Sequence, residues 1–264
     1  MVQECRVEQF NGLMDRVASV ETKQALIYYC NRPNPQRSEE NHDSLLIRCL
    51  EDGSLCLAVA DGAGGHRTPA EASSSLLGEV DKSISDSSLD GIVESIEKAN
   101  LHIRNALPHS RSTLMLATIQ ADNLRSIHIG DSKLIVIGGR GRLKYETIGH
   151  NLYEICHHSG LSEFIDDTIE VPSNIVTNMI GDASPRIDVS SNIKLAPNDT
   201  VILGSDGLFD NFTISEICEK TKDLSLDQLA SFIDEEARRR MSLAIEGTDQ
   251  FKADDMSFIA FRQT

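Results

Sequence analysis

The chain has 264 residues, 40% hydrophobic and 25% charged, with a formal net charge of −16. That length suits one large domain or two small ones around a substantial core, and the acidic balance works against binding a phosphate backbone. No apolar stretch is long enough to span a bilayer, and the N-terminus MVQECRVEQFNG has no basic segment followed by an apolar one, so a cytoplasmic chain without membrane or nucleic-acid partners is expected.

Residues 1–21 read as a short extension, helical or irregular, ahead of a domain spanning 22–264. QALIYYC (24–30) reads as a strand, and NRPNPQRSEENHD after it as a loop. DSLLIRCL and SLCLAVAD are two strands around a turn at Glu51-Asp52-Gly53-Ser54, a hairpin signal. The period then becomes helical. Residues 70–80 form one candidate helix, with Pro69 near its first turn. Residues 89–107 form another, with Ile92, Ile96, Ala99, Ile103 and Leu107 at spacings of three and four before Pro108. STLMLATIQ, LRSIHIGD, KLIVIGG and RLKYETI follow as strands of an antiparallel meander. Residues 149–186 are less regular, with a short helix at 151–158 and loops punctuated by Pro172 and Pro185. IDVSSNIKL and VILGSD are strands, helices follow near 215–221 and 226–243, and MSFIAFR is the last strand. Strand blocks alternating with helix pairs favour antiparallel sheets with helices outside, not a doubly wound parallel sheet. No G-x-G-x-x-G or Walker-type motif occurs, which argues against a dinucleotide-binding or P-loop protein.

Three apolar runs end on an aspartate: LCLAVA before Asp61-Gly62, SIHIG before Asp131-Ser132, and VILGS before Asp206-Gly207. A fourth is reversed, with Asp254-Asp255 ahead of MSFIAF. A charge at a strand end lies where a sheet meets solvent. If those ends converge, the carboxylates repel unless a cation sits among them, and hard oxygen donors suit Mg²⁺ or Mn²⁺. Each block also has a bland reading. Asp61-Gly62-Ala63-Gly64-Gly65 can be a glycine-rich turn, and Gly130-Asp131-Ser132-Lys133 a hairpin turn. Leu208 and Phe209 anchor the Asp206 turn in the core, and Asp210-Asn211 can cap the next helix. Of the adjacent pair Asp254-Asp255 at most one is a direct ligand, because neighbours in a strand face opposite ways. The six cysteines include no C-x-x-C pair, so reduced thiols are expected. Cys156-His157-His158 is a weak zinc signal, since adjacent side chains diverge.

Together NHD around Asp43, DGAGG from Asp61, Ser112-Thr113, GDSK from Gly130, TNMIGD at 177–182, SDGLFD from Ser205 and DDMS from Asp254 resemble the PPM-type metal-dependent protein phosphatases, the protein phosphatase 2C family, over residues 22–264. The resemblance implies an α+β fold, a four-layer α-β-β-α sandwich of two antiparallel sheets with helix pairs outside. It implies two Mn²⁺ or Mg²⁺ ions at one edge of the sandwich. Asp61 would bridge both, the Gly62 carbonyl would bind one, and Asp206 and Asp254 would hold the other. Asp43 would lie in or next to the inner shell, and Asp131 matches a position linked to a third, weaker ion. A water bridging the two metals would attack phosphoserine or phosphothreonine in line, with no phosphoenzyme and no catalytic Cys or Ser. The implied partners are phosphorylated proteins and a cognate Ser/Thr kinase, and a monomer is expected.

The match has gaps. Ala63 stands where some relatives carry a histidine proposed to protonate the leaving alkoxide; His66 is either a substitute or a surface residue. The family's phosphate-binding arginine falls at Ser38, so Arg37, one residue away, is the candidate, with Arg32 as the alternative. His42 replaces an acidic or amide residue before Asp43, and Pro69 stands where a glycine is common. Gly149-His150-Asn151 replaces Asp-His-Ser, which removes a ligand for an extra ion. The altered Arg37 loop and the absent histidine at Ala63 leave one rival function, a phosphatase-like scaffold or phosphoprotein-binding module without turnover; a metal-dependent hydrolase of a small phosphorylated metabolite is a third alternative. Residues 149–186 are expected to hold the flap that shapes substrate choice.

Overall fold

Strand β5 (Leu55–Ala63) illustrates the local rule that builds this fold. It is buried along nearly its whole length, with alternate side chains entering two different cores as its period of two requires. A computed structural model describes residues 5–22, 25–64, 69–160, 171–172, 174–247 and 250–263.

One sheet takes β1 (Arg6–Phe10), β4 (Asp43–Cys49), β5, β7 (Leu114–Gln120), β8 (Asn123–Ile129) and β11 (Asp188–Val189) in that order. Its short flanking strands are β6 (Arg111–Ser112), paired with β5, and β12 (Ile193–Lys194), paired with β8. The other sheet runs β10 (Leu143–Glu146), β9 (Lys133–Ile137), β13 (Thr200–Gly204), β14 (Met256–Gln263), β3 (Ala25–Arg32) and β2 (Ala18–Glu21). Every pairing within these sheets is antiparallel.

The two sheets face each other across one apolar layer, with Ile47, Leu57, Val59 and Met115 meeting Ile27, Val136, Val201 and Phe261. The alternate residues Leu46, Ala58 and Leu116 point outward onto helices α1 (Pro69–Ser83) and α2 (Leu89–Ala106) through Leu76, Val80 and Ile96. On the far side Ile135, Ile202 and Phe258 meet α5 (Ile214–Asp223) and α6 (Leu226–Ile245) through Ile217, Leu229 and Ile233. The layers are therefore α-β-β-α. Each fully buried aliphatic side chain contributes roughly 1.5–3 kcal/mol of transfer free energy, so these three layers supply the main driving force for folding.

Four local expectations change. Residues 6–10 and 18–21 form β1 and β2 at sheet edges, paired with β4 and β3. Polar residues on the solvent face of such half-exposed strands interrupt the apolar alternation, so this segment reads as an extension in the sequence. The four-strand meander is split: β7 and β8 lie in one sheet, β9 and β10 in the other, and the chain crosses over at Gly130-Asp131-Ser132. IDVSSNIKL is two short strands on β8. A short helix α4 (Asp206–Phe209) follows β13. Asp210 is its C-cap, while the next helix is capped by Thr213, whose side chain accepts from the Glu216 amide.

Candidate metal centre

The strand registers bring the aspartates together. Asp43, the first residue of β4, and Asp61, near the end of β5, are cross-strand partners. In the other sheet Lys133 at the start of β9 and Phe258 near the start of β14 both pair with Gly204 at the end of β13. Asp131, Asp206 and Asp254, just beyond those ends, emerge on the same edge. Asp61, Asp131, Asp206 and Asp254 line one cleft of about 210 Å³, together with His42, Gly62, Lys252 and Asp255.

Backbone contacts hold the strand ends in place. Thr113 donates its amide to the Asp61 carbonyl (2.8 Å), and the Asp61 amide donates to Thr113 Oγ1 (2.9 Å). Thr113 Oγ1 is 2.7 Å from Ser132 Oγ, next to Asp131. The Ser-Thr pair thus ties the Asp61 end of one sheet to the Asp131 crossover. Two glycines permit the close approach. A Cβ on Gly62 would overlap the Pro69 carbonyl oxygen, and one on Gly207 would overlap that of Asp255.

The electrostatics favour a cation. Asp61 and Asp206 keep some solvent contact in the cleft, yet the surrounding protein makes burial the largest cause raising both carboxyl pKa values well above the usual range. Asp206, Asp43, Asp131 and Asp254 raise Asp61 further. Burial lifts Asp131 to about 6. Asp43 is lifted to about 7, first by burial and then by Asp255, against hydrogen bonds from Ser205 and Ser257. Those hydroxyls donate to Asp43 Oδ2 at 2.6 and 2.7 Å. Asp43 Oδ1 is buried without a partner. A buried, half-satisfied carboxylate costs stability unless a proton or a cation completes it. The cleft carboxylates make a hard, anionic donor set that fits Mn²⁺ or Mg²⁺; Asp43 does not line the cleft but is the cross-strand partner of Asp61.

The adjacent pair Asp254-Asp255 divides its tasks. Asp255 is buried and accepts from the amides of Asn34 (2.6 Å) and His42 (3.1 Å) and from Arg37 Nη2 (3.0 Å). Asp254 stays partly exposed, with Lys252 Nζ 2.8 Å from its Oδ2. Arg37 lies at the rim, its Nη1 3.0 Å from His42 Nδ1 and its Nη2 4.0 Å from Asp254 Oδ1, with 39% of its side chain exposed. Arg32, the alternative, is turned to another partner: Asp234 on α6 accepts from its Nε (2.7 Å) and Nη2 (2.8 Å). Ala63 lines the cleft, and His66 lies outside the described residues. Gly149 supplies no carboxylate and packs against Asp131. Of the irregular stretch, Asn174, Val176 and Met179 reach the cleft wall; residues 161–170 and 173 lie outside the described residues. His157 and His158 are exposed on the short helix α3 (Leu152–His158), near Cys156.

A second cluster supports the crossover. The rings of His128 and His150 stack 4.7 Å apart, and His150 Nε2 is 3.1 Å from Asp188 Oδ2. One ligand atom from each of the three residues falls within 4.8 Å of the others, a spacing that also suits a metal ion. The rings have protein partners, however. His150 Nδ1 accepts from the Gly130 amide (3.1 Å) and from Asn178 Nδ2 (2.7 Å), and His128 Nε2 is 2.9 Å from the Ile148 carbonyl oxygen. Burial keeps both imidazoles below their usual pKa. The cluster thereby anchors the turn that carries Asp131.

Lys252 is the cleft residue that sequence reasoning missed. Its Nζ lies 2.7 Å from Asp206 Oδ2, 3.1 Å from Asp210 Oδ2 and 2.8 Å from Asp254 Oδ2. Burial acts to lower its pKa, but Asp206, Asp254 and Asp210 together raise it above the ordinary lysine range. The sequence signal was a lone lysine two residues ahead of Asp254, indistinguishable from a surface charge.

A family model described as protein phosphatase 2C matches residues 33–244. A curated relative, "Protein phosphatase PTC7 homolog fig" of Drosophila virilis, is 25% identical over 203 residues, covering 71% of this chain; the match spans 60% of that relative's length. The serine/threonine phosphatase of S. agalactiae superposes with a TM-score of 0.76 at 22% identity, covering 90% of this chain and 99% of its own. The catalytic domain of the serine threonine protein phosphatase PstP, solved in complex with two manganese ions, superposes with a TM-score of 0.69 at 19% identity, covering 91% and 99%. At these identities the structural likenesses establish the shared fold. No described helix is long and apolar enough to cross a membrane.

Proposed function

The chain belongs to the protein phosphatase 2C family, and from that premise we propose that it hydrolyses phosphoserine and phosphothreonine monoesters on proteins, using divalent Mn²⁺ or Mg²⁺ held in the acidic cleft. The observation that carries the reading is the meeting of Asp61, Asp131, Asp206 and Asp254 in one cleft, beside a buried Asp43 oxygen without a partner. A manganese complex is known for the related fold of PstP, which supports the choice of ion.

In this reading Asp61, the Gly62 carbonyl, Asp206 and Asp254 would be the groups that hold the ions, with Asp61 shared between them. Asp43 would complete that donor set or stand next to it, and Asp131 would serve a third, weaker ion. When bound, the ions supply an ionisable water of lowered pKa and offset charge on the phosphoryl oxygens. The protein's own part is to position. Thr113 and Ser112 hold the Asp61 carbonyl, through hydrogen bonds of 2.8 and 3.1 Å. Arg37, oriented by Asp255 and His42, presents a planar guanidinium at the rim that suits a phosphate dianion. Val176 and Met179 line the cleft wall and meet the substrate's apolar portion. Phosphorylated proteins, and a Ser/Thr kinase that makes them, are the implied partners.

The test is phosphate release from p-nitrophenyl phosphate, a phosphothreonine peptide and a panel of phosphorylated metabolites, with Mn²⁺ and with chelator. Mn²⁺-dependent turnover that favours the peptide is expected. D206N should lower it by about 100-fold or more, because it removes one carboxylate charge from the ion site. Folded protein that binds Mn²⁺ without turnover would instead make the chain a binding module, and preference for metabolites would make it a small-molecule hydrolase.

A further inference from the structure

Lys252 is held too deliberately to be an incidental surface charge. Its backbone is clamped from both sides by Asn211, which follows α4: Lys252 N donates to Asn211 Oδ1 (3.2 Å), and Asn211 Nδ2 donates to the Lys252 carbonyl (2.8 Å). The same Asn211 Nδ2 is 2.9 Å from the Gly207 carbonyl. The amide therefore fixes Lys252 against the Asp206 turn, and the ammonium reaches carboxylate oxygens of Asp206, Asp210 and Asp254.

The cleft's cations are divided between two sides. Arg37 and His42 face Asp255. Among the described basic residues Lys252 alone pairs with Asp206, and it sits closer to Asp254 (2.8 Å) than Arg37 does (4.0 Å). Two of its partner oxygens belong to the carboxylates assigned above to an ion. An ammonium and a divalent ion both seek those oxygens, and they repel each other when close. With 39% of the side chain exposed, Lys252 has a route out to solvent.

We infer that Lys252 is a built-in competitor of the divalent ion on the Asp206–Asp254 side of the cleft: its ammonium neutralises those carboxylates in the metal-free protein and must swing away for the ion to bind. The consequence is a lowered affinity for metal on that side and a metal-free form that stays folded. Occupancy would then respond to the supply of divalent ions. The inference rests on the two-ion reading, and its test separates the two.

Mn²⁺ binding to the full chain is measured by calorimetry for wild type, K252M and K252R, with thermal melting in chelator alongside. K252M should bind at least one Mn²⁺ about tenfold tighter or more, and should melt lower in chelator because its carboxylates have lost their neutralising partner. K252R, which keeps the charge, should bind as wild type does. A purely structural salt bridge would lower the melting temperature without tightening metal binding, and that result overturns the inference while leaving the two-ion reading intact. Absence of Mn²⁺ binding in both wild type and K252M overturns both. If K252M fails to fold without metal, K252Q carries the same expectation in a milder form, and equal Mn²⁺ affinity in K252Q and wild type overturns the inference.

Discussion

Asp43 concentrates the chemistry of the site in a single residue. One carboxylate oxygen takes two short hydroxyl hydrogen bonds and the other takes none. The hydroxyls come from Ser257 on β14 and from Ser205, just past the end of β13, so Asp43 also joins the two sheets. Replacing it by asparagine keeps an acceptor for the serines and removes the buried charge. D43N should therefore melt higher than wild type in chelator and bind Mn²⁺ roughly 10–100-fold more weakly. Opposite signs in melting and calorimetry are the diagnostic result; a loss in both would mean that Asp43 is chiefly a structural joint.

At the scale of elements, function depends on how closely a turn after one strand approaches the start of another. Helix α4 follows β13 directly and presses Gly207 onto the Asp255 backbone at the entrance of β14. A methyl group there meets main chain, which cannot rotate away. G207A must push the Asp206 turn from β14, and denaturant unfolding should register a loss of about 1–3 kcal/mol, the range for overpacking. Mn²⁺ affinity should fall with it, because Asp206 and Asp254 move apart. A stable G207A protein with unchanged Mn²⁺ affinity would show that the ligand geometry does not depend on this contact. The crossover at Asp131 is braced differently, through His150 and the Thr113–Ser132 hydroxyl pair.

For the whole molecule the acidic edge makes metal-free stability depend on pH. Burial raises Asp43 and Asp131 in the folded state to about 7 and 6, from the ordinary carboxyl value of 3.8, and Asp61 and Asp206 are raised as well. Between pH 4 and 7 the folded protein keeps protons that the unfolded chain has lost. More protons bound to the folded state means that stability falls as pH rises through this window. Carboxylates held low by hydrogen bonds, Asp52 and Glu236 at about 2, act with the opposite sign but mainly below pH 5, and the buried imidazoles of His128 and His150, held below their usual pKa, oppose the trend near pH 6 but are outnumbered by the four raised carboxyls. Melting in chelator should therefore occur at a lower temperature at pH 7.5 than at pH 5.5. Saturating Mn²⁺ should reverse the trend, since ligated carboxylates stay ionised. A metal-free melting temperature that climbs from pH 5.5 to 7.5 contradicts this account.

Period and punctuation in the chain were sufficient for most elements. β3, β4, β5, β7, β13, β14, α1, α2 and α6 lie where their apolar runs, prolines and polar turns place them, because backbone geometry and burial of an adjacent face are encoded within a few residues. The aspartates at strand ends were legible for the same reason. Edge strands β1 and β2 were not, since an edge strand needs only one weakly apolar face, and its pairing is settled by the neighbouring strand. The division of the meander between two sheets was also beyond reach, because a hairpin and a crossover begin with the same Gly-Asp-Ser turn. Tertiary structure alone decided that Arg32 is spent on Asp234, that Arg37 leans on Asp255 and His42, and that Lys252 enters the carboxylate cluster. Those contacts join residues far apart in sequence, and a charged side chain's partner depends on which distant backbone is packed beside it.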